Sequence, residues 1–377
     1  KNSAFPHKSI KTLFRLASAS ILNKKKHLMK KPLFLLFVLG LFTACDDTTL
    51  NDNKDYTAVL ENTVNNVIIR TYKDLDDKTA NLVTALTTLE NNRTASTLEA
   101  ARGAWREARR PWEQSEGFLF GPVDQQGIDP SIDSWPVNEV DLNAVLTSPN
   151  TLTKSYIDGL EGTLKGFHTI EFLLFGTSGN KAISEFNNRQ FEYLRACAES
   201  LKGATAQLYH AWQPTGENFG QTVREAGKNG NTVYLSQKSA LQEFVDGLIT
   251  ITDEVGNGKI NDPLTNADIT LEESRFSANS KADFADNIRS VSHIYNGGLN
   301  NVASGISISD LVKARDAILD AKIKQQIADA IAAIEAIPGS FTVAIFQQKS
   351  AVQLAQTNVR DLQLTLEGGL KPLLDKF

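Results

Sequence analysis

Apolar residues recur at three-, four- and seven-residue steps from Tyr56 to near the end of the chain. The first such stripe comprises Val59, Val64, Val67, Ile68, Leu75, Leu82, Leu86 and Leu89. This spacing places apolar side chains on one face of a helix. Similar patterns predict helices over about 97–116, 153–174, 184–212, 236–255, 308–337 and 340–366, with Pro111 kinking or splitting the first of these. Alternating strands joined by a hairpin turn are not evident, so the pattern predicts an all-α fold.

Two segments interrupt the helical pattern. Residues 213–231 mix Pro, Gly and Asn, which is typical of a linker. We therefore predict two packed helical-bundle domains, over 56–215 and 230–377. Residues 121–142 hold three prolines and two glycines with almost no helical period. A loop of this length inside a compact domain is often functional.

The N-terminal segment has the layout of a secretory signal. From Met29, two lysines precede an apolar run, Pro32–Phe42, and small residues then lead to Cys45. The run is too short to span a bilayer. Phe-Thr-Ala-Cys resembles the lipobox of bacterial lipoproteins, in which the cysteine is acylated; a plain signal peptide cleaved nearby is the alternative. We expect Met29 to be the true start, residues 1–44 to be upstream sequence plus signal peptide, and residues 45–55 to tether the protein to a bacterial envelope membrane, on its periplasmic or surface face.

Removal of the signal makes the chain more acidic. The full sequence has 39 Lys and Arg against 44 Asp and Glu, and nine of the basic residues lie in 1–44. The mature chain thus keeps 30 basic and 44 acidic residues, a net charge of −14. Such a chain repels nucleic acid phosphates, so we expect no nucleic acid partner. With Cys45 acylated, Cys197 is the one remaining cysteine; this excludes an internal disulfide and favours a small buried side chain.

The segment GFHTIEFLLFG, residues 166–176, carries a histidine and a carboxylate in apolar surroundings. His168 and Glu171 lie about 60° apart on one helical face. An imidazole nitrogen and a carboxylate oxygen suit zinc or iron, and a buried carboxylate is costly unless it is paired or ligated. A hydrogen bond that only joins the two side chains is the alternative. Gly166 indicates either a close approach of backbone to a neighbouring helix or ligand, or simply the start of the helix.

Other oxygen-bearing residues could complete a site. Glu113 and Glu116 lie three residues apart before the long loop, which holds Asp124, Asp129 and Asp133. The second half adds Glu272, Glu273, Ser274, Ser277, Asp283, His293 and Tyr295. We expect carboxylates from 113–133 and polar residues from 272–295 to join the His-Glu pair in a cleft between the two bundles. The predicted metal ligands are His168, Glu171, Glu113 and Glu116.

The Gly-x-His-x-x-Glu motif at 166–171 resembles the signature of the imelysin family. Three other stretches support the resemblance: residues 105–116 (WREARRPWEQSE), Asp133–Pro136 and residues 273–287 (ESRFSANSKADFADN). The resemblance covers most of 56–370. It implies two α-helical bundles with the motif near their interface, an envelope location and a link to iron. The matching site positions are Gly166, His168 and Glu171, with weaker matches at Trp105, Arg109, Glu113, Ser274 and Ser277. The residues expected to contact the ligand are Gly166, Trp105, Arg109, Asp133, Ser274 and Ser277.

Three functions fit these observations. The first is a lipid-anchored protein that binds iron, haem or another metal species at the domain interface during iron uptake, with envelope transport partners. The second is a zinc metallopeptidase. Phe172 excludes both the His-Glu-x-x-His and His-x-x-Glu-His motifs, but His210 or His293 could supply a third zinc ligand, with Glu113 or Glu116 as general base. The third is a surface interaction module with a structural His-Glu pair. The expected cofactor is an iron or zinc ion.

Overall fold

The computed structural model describes residues 55–300 and 302–377. Within these two ranges the secondary structure consists of helices and turns, without any strand. This confirms the all-α prediction. The signal peptide, Cys45 and nearly all of the tether lie outside the described residues.

Ten helices make up the first part of the described chain. They are α1 (Thr57–Asn62), α2 (Ile69–Asn91), α3 (Ala95–Glu113), α4 (Pro122–Gln125), α5 (Asp129–Asp133), α6 (Glu139–Thr147), α7 (Lys154–Asp158), α8 (Gly166–Phe175), α9 (Asn188–Trp212) and α10 (Phe219–Arg224). A π-helical turn, Thr63–Ile68, joins α1 to α2, and a 3₁₀ turn, Glu116–Phe118, follows α3.

Eight helices make up the second part. They are α11 (Gln237–Asp253), α12 (Asn261–Asn266), α13 (Ser280–Asn296), α14 (Ile308–Lys313), α15 (Ala317–Glu335), α16 (Phe341–Gln347), α17 (Lys349–Thr365) and α18 (Lys371–Leu374). Two more π-helical turns, Glu254–Lys259 and Leu366–Leu370, follow α11 and α17.

The long helix α2 lies between α3 and α9. Its buried face carries Leu75, Leu82, Leu86 and Leu89, which the apolar stripe of the sequence predicts. Each fully buried leucine contributes about 1.5–3 kcal/mol to folding. On the same face, the hydroxyl groups of Thr79 and Thr205 lie 2.8 Å apart and join α2 to α9 by a buried hydrogen bond.

Helix α13 connects the two parts of the chain. It packs against α3 from the first part and against α11 and α15 from the second. Seventeen residues long, it is buried over most of its length. The side chains of α13 that face α3 therefore lie close to those of residues 105–113 on α3. The division into domains at 56–215 and 230–377 stays a prediction.

Several helix boundaries differ from those that the periodicity predicts. Helix α3 continues through Pro111 to Glu113 without splitting, although proline has no N–H to donate to the carbonyl of Glu107. The prediction that residues 121–142 form a long loop is wrong, because this segment contains α4, α5 and the start of α6. Proline occupies one of the first two positions of both α4 and α5, where its missing N–H costs nothing.

Both long C-terminal helices are interrupted. The prediction of a single helix over 308–337 is wrong, because α14 ends at Lys313. Asp316 then caps the start of α15 by accepting a 2.9 Å hydrogen bond from the Leu319 N–H. A break at Gln348 likewise separates α16 from α17. Apolar periodicity continues across both breaks, so it could not locate them. In the described part of the chain, each helix is too short or too polar to cross a membrane.

Candidate metal centre

Helix α8 begins at a glycine because the backbone of α5 leaves no space for a side chain. Gly166 has a φ of +76°, in the left-handed region that favours glycine. A Cβ atom at this position would lie 2.3 Å from the carbonyl oxygen of Ile132 in α5. This confirms the close backbone approach that the sequence indicates. The contact brings His168 beside Asp133, the last residue of α5.

His168 lies between two carboxylates. Its Nδ1 atom is 3.1 Å from Oε2 of Glu171, and its Nε2 atom is 3.2 Å from Oδ1 of Asp133. Burial and the Arg109 charge each lower the pKa of His168, but the two carboxylates outweigh them and raise it to about 9. The imidazole is therefore protonated at neutral pH, and a metal ion that binds Nε2 must replace that proton.

Glu171 is held by the second half of the chain. Its Oε1 atom accepts hydrogen bonds from the Ser277 N–H at 2.8 Å and from the Ser277 hydroxyl at 2.7 Å. Because Oε2 faces His168, all of this carboxylate is engaged. A carboxylate in this position fixes the orientation and tautomer of the imidazole. A hydrogen bond from Nδ1 to Glu171 therefore leaves Nε2 of His168 able to bind a metal ion. The structural role of the His-Glu pair and a metal site at the other ring nitrogen are compatible.

Arg109 on α3 is the centre of the charged cluster and is fully buried. Its guanidinium forms ion pairs with four carboxylates: Glu113 at 2.7 Å, Glu273 at 3.3 Å, Asp283 at 3.5 Å, and Asp133. Burial lowers the pKa of Arg109, but the four carboxylates together raise it well above its usual value. Arg109 is therefore a permanent cation that holds α3, α5 and the 273–283 segment together.

Asp133 receives contacts from three directions. Besides its pairs with Arg109 and His168, its Oδ2 atom accepts a 2.7 Å hydrogen bond from the indole N–H of Trp112. Burial raises the pKa of Asp133, but Arg109 and His168 outweigh it and hold the pKa well below its usual range. Asp133 is thus an anion at neutral pH, which is a requirement for a metal ligand.

The second half of the chain supplies the other wall. The Asn287 amide on α13 donates a 2.6 Å hydrogen bond to Oε2 of Glu113. The ammonium group of Lys259 lies 3.0 Å from Oε1 of Glu273 and 3.9 Å from Oε2 of Glu113. The other oxygen of Glu273, Oε2, is buried without a hydrogen-bond partner among the described residues. A buried carboxylate oxygen in that state is costly.

Negative charge exceeds positive charge in the cluster. The cluster contains two permanent cations, Arg109 and Lys259, and the protonated His168. Its six carboxylates belong to Glu113, Glu116, Asp133, Glu171, Glu273 and Asp283. Burial is the main reason that the pKa values of Glu113 and Glu116 are raised well above normal and that of Asp283 to about 6. Such groups take up protons in place of missing positive charge. A bound cation would supply that charge instead.

Two sets of three side chains are close enough to hold an ion. The candidate ligand atoms of Asp133, His168 and Glu273 all lie within 4.8 Å of one another, and so do those of Glu113, Glu116 and Asp133. The first set offers one nitrogen and two carboxylate oxygens, a combination suited to iron, zinc or manganese. Glu273, whose Oε2 atom has no hydrogen-bond partner among the described residues, belongs to this set. The donor chemistry therefore fits a divalent transition metal.

The structure brings together most of the residues that the sequence singles out. Glu113, Asp133, His168, Glu171, Glu273, Ser277 and Asp283 form one cluster. Trp105 supports it from behind, because its indole N–H donates a 3.0 Å hydrogen bond to the Phe167 carbonyl and joins α3 to α8. Ser274 is buried beside Asp283.

Other candidates lie apart from the cluster. Asp124 and His210 are exposed, and His293 lines a separate cavity between α13 and α15. In the described part of the chain, neither ligand set contains a second histidine. The three-ligand zinc site with His210 or His293 is therefore not formed in this structure.

Sequence reasoning missed Lys259, Trp112 and Asn287. Lys259 lies in the segment GNGKIND, which reads as an ordinary loop. Trp112 and Asn287 lie inside stretches quoted for the resemblance, but nothing in the spacing shows that each donates to a buried carboxylate. Asn287 reaches Glu113 through the packing of α13 on α3, and Trp112 reaches Asp133 of α5 through a separate tertiary contact.

Fold and site together define an all-helical protein whose two halves enclose a buried histidine–carboxylate cluster. The chain belongs to the imelysin family (peptidase M75), whose match spans residues 68–366. The chain is 30% identical over 342 residues to the iron-regulated protein A of Synechococcus elongatus, covering 89% of this chain and 91% of that protein.

Two crystal structures have similar folds. A Parabacteroides distasonis protein assigned as an iron-regulated protein A precursor superimposes with a TM-score of 0.76 at 27% identity, over 82% of this chain and 93% of that one. An imelysin-like protein of Psychrobacter arcticum superimposes with a TM-score of 0.69 at 14% identity, over 84% of this chain and 94% of that one. The latter similarity concerns the fold alone.

Proposed function

We propose that this protein is an envelope lipoprotein that binds a divalent transition metal ion, iron foremost, through Asp133, His168 and Glu273, and that it acts in iron uptake. The observation that carries the proposal is the convergence of these three ligand atoms within 4.8 Å in a cluster in which carboxylates outnumber cations. Such a set would supply a site whose ligands are held in place before the ion arrives.

Side chains that hold two of the three proposed ligands, His168 and Asp133, support the proposal. Glu171 orients His168 through Nδ1, while Trp112 and Arg109 orient Asp133. Partners of this kind around metal ligands commonly account for about 10–100-fold in metal affinity. In this proposal Glu171 positions the histidine rather than contacting the ion, whereas Glu113 and Glu116 form with Asp133 an adjacent set that an entering ion could use.

A single ion fits the site better than haem does. The side chains of Asp133, His168 and Glu273 are 6%, 1% and 9% exposed. A haem plane needs an open apolar slot beside its axial histidine, whereas both ring nitrogens of His168 face carboxylates. The name of the Synechococcus relative, iron-regulated protein A, favours iron over zinc. The signal-like segment that ends at Cys45 supports an envelope anchor.

The test is metal binding by the full-length chain purified in detergent. Calorimetric titration with Fe²⁺ under anaerobic conditions, and separately with Zn²⁺, should give about one ion per chain, and elemental analysis should agree. His168→Ala should lose at least about tenfold in affinity, while the exposed-site control His210→Ala should match wild type. Absence of binding by wild type, or equal binding by His168→Ala, would refute the proposed site.

The anchor needs its own measurement. Mass spectrometry of the mature N-terminus in a bacterial host should find diacyl- or triacylglyceryl modification on Cys45. Replacement of Cys45 by Ser should release the protein from the membrane fraction without changing metal affinity. An unmodified N-terminus downstream of Cys45 would contradict the lipoprotein assignment.

A further inference from the structure

Lys259 is placed where a bound metal ion would encounter it. It is the last residue of the π-helical turn Glu254–Lys259, and its ammonium group lies 3.0 Å from Oε1 of Glu273 and 3.9 Å from Oε2 of Glu113. Glu273 belongs to one candidate ligand set, and Glu113 to the other. Lys259 thus contacts one carboxylate of each set.

The two permanent cations of the cluster, Arg109 and Lys259, differ in how firmly they are held. Arg109 is fully enclosed and pairs with four carboxylates through a rigid planar group. Lys259 has a side chain that is 12% exposed, and its charge is carried on a flexible four-carbon stem. Of the two side chains, only that of the lysine reaches solvent.

The backbone that carries Lys259 is itself fixed. The Gln356 amide on α17 donates a 3.0 Å hydrogen bond to the Gly256 carbonyl, and the Asn257 amide donates a 3.1 Å bond to the Gln363 side chain. A π-helical turn contains an extra residue, which rotates the following side chain relative to an α-helix, and such turns are frequent at functional sites. Here the turn directs the Lys259 side chain into the carboxylate cluster.

We infer that Lys259 is a tethered counter-cation that competes with the metal ion for Glu273 and thereby sets the affinity of the site. This inference rests on the proposed metal-binding function. Without metal, the ammonium group neutralises part of the charge of the cluster. A divalent ion at Asp133, His168 and Glu273 takes over the Glu273 carboxylate and repels the ammonium group, which moves out toward solvent. The lysine keeps the metal-free site folded and makes the bound ion easier to release.

The first test compares affinities. Lys259→Met removes the charge and keeps a similar length, so its Kd for Fe²⁺ and for Zn²⁺ should fall at least about tenfold. The matched control is Lys371→Met, which removes the same charge from an exposed lysine paired with Asp246 and should keep the wild-type Kd within about twofold. Lys259→Arg retains the charge and should not bind more tightly than wild type. A Kd of Lys259→Met equal to or higher than that of wild type would overturn the inference.

A second test uses the wild-type chain, in case Lys259→Met does not fold. Lysine acylation by an amine-reactive ester, read by peptide mass spectrometry, should be slow at Lys259 in the metal-free protein and several-fold faster at saturating Zn²⁺. Labelling of Lys371 should be unchanged. If metal binds but labelling of Lys259 is unchanged or slower, the ammonium group does not leave, and the inference is wrong although the metal site stands. If no metal binds to wild type or to any variant, the proposed function itself has failed.

Discussion

Replacing Gly166 with alanine tests whether the contact between α5 and α8 builds the site. The new Cβ atom would lie 2.3 Å from the Ile132 carbonyl oxygen, where ordinary contacts begin at about 3.4 Å. The backbones of α5 and α8 must therefore separate by about 1 Å. A positive φ at a residue with a side chain costs about 1–2 kcal/mol, and the forced backbone shift adds about 1–3 kcal/mol.

The expected total is a loss of about 2–5 kcal/mol in the free energy of unfolding, measured by urea denaturation without metal. The variant should also bind metal more weakly, because the shift moves Asp133 away from His168. The control is Gly103→Ala in α3, where a Cβ atom would meet nothing within 4 Å; it should stabilise the protein by about 0.5–1 kcal/mol. If Gly166→Ala keeps both the wild-type stability and the wild-type affinity, the contact does not position the site.

Two further predictions concern buried charge. Arg109→Met should lower the free energy of unfolding by about 3–5 kcal/mol, because it leaves four carboxylates without their common partner. The exposed control, Arg110→Met, should lower it by less than about 1 kcal/mol. Equal losses in urea denaturation would show that Arg109 is not the centre of the cluster. Burial, with the Arg289 charge, lowers the pKa of His293 to about 4. Because the folded-state pKa is below the unfolded value, stability is full above pH 6.5 and falls between pH 6.5 and 4, by about 3 kcal/mol in total. His293→Leu should remove that part of the decline, and an unchanged pH profile would contradict the assigned burial effect.

The sequence predicts the helices better than their ends. In α2 the leucines at 75, 82, 86 and 89 mark a face that the structure buries, because a single long amphipathic helix shows its period over six turns. Residues 308–366 show the opposite case. Their apolar stripe runs on past Asp316, which caps the start of α15, and past Gln348, whose non-helical backbone separates α16 from α17. Neither break disturbs the spacing.

The candidate site, too, is only partly predictable from the sequence. His168 and Glu171 lie on one helical turn, so their proximity follows from local geometry. Asp133 and Glu273 were singled out as oxygen-bearing residues near a motif, yet their meeting at His168 depends on the α5–α8 contact and on α13 packing against α3. Lys259 carries no local signal at all, because its role depends on a π-helical turn that periodicity does not reveal.

The hydrogen bonds between Glu171 and Ser277 also impose an order on biosynthesis. They join residues 106 positions apart, and α8, at ten residues, is too short to be stable alone in water. At about 5–20 residues per second, the ribosome completes Ser277 roughly 5–20 seconds after Glu171. During that interval α8 can pack against α3, α5 and α9, but the Glu171 carboxylate has neither of its Ser277 donors. The histidine–carboxylate cluster therefore cannot be completed before the 273–287 segment has been synthesised.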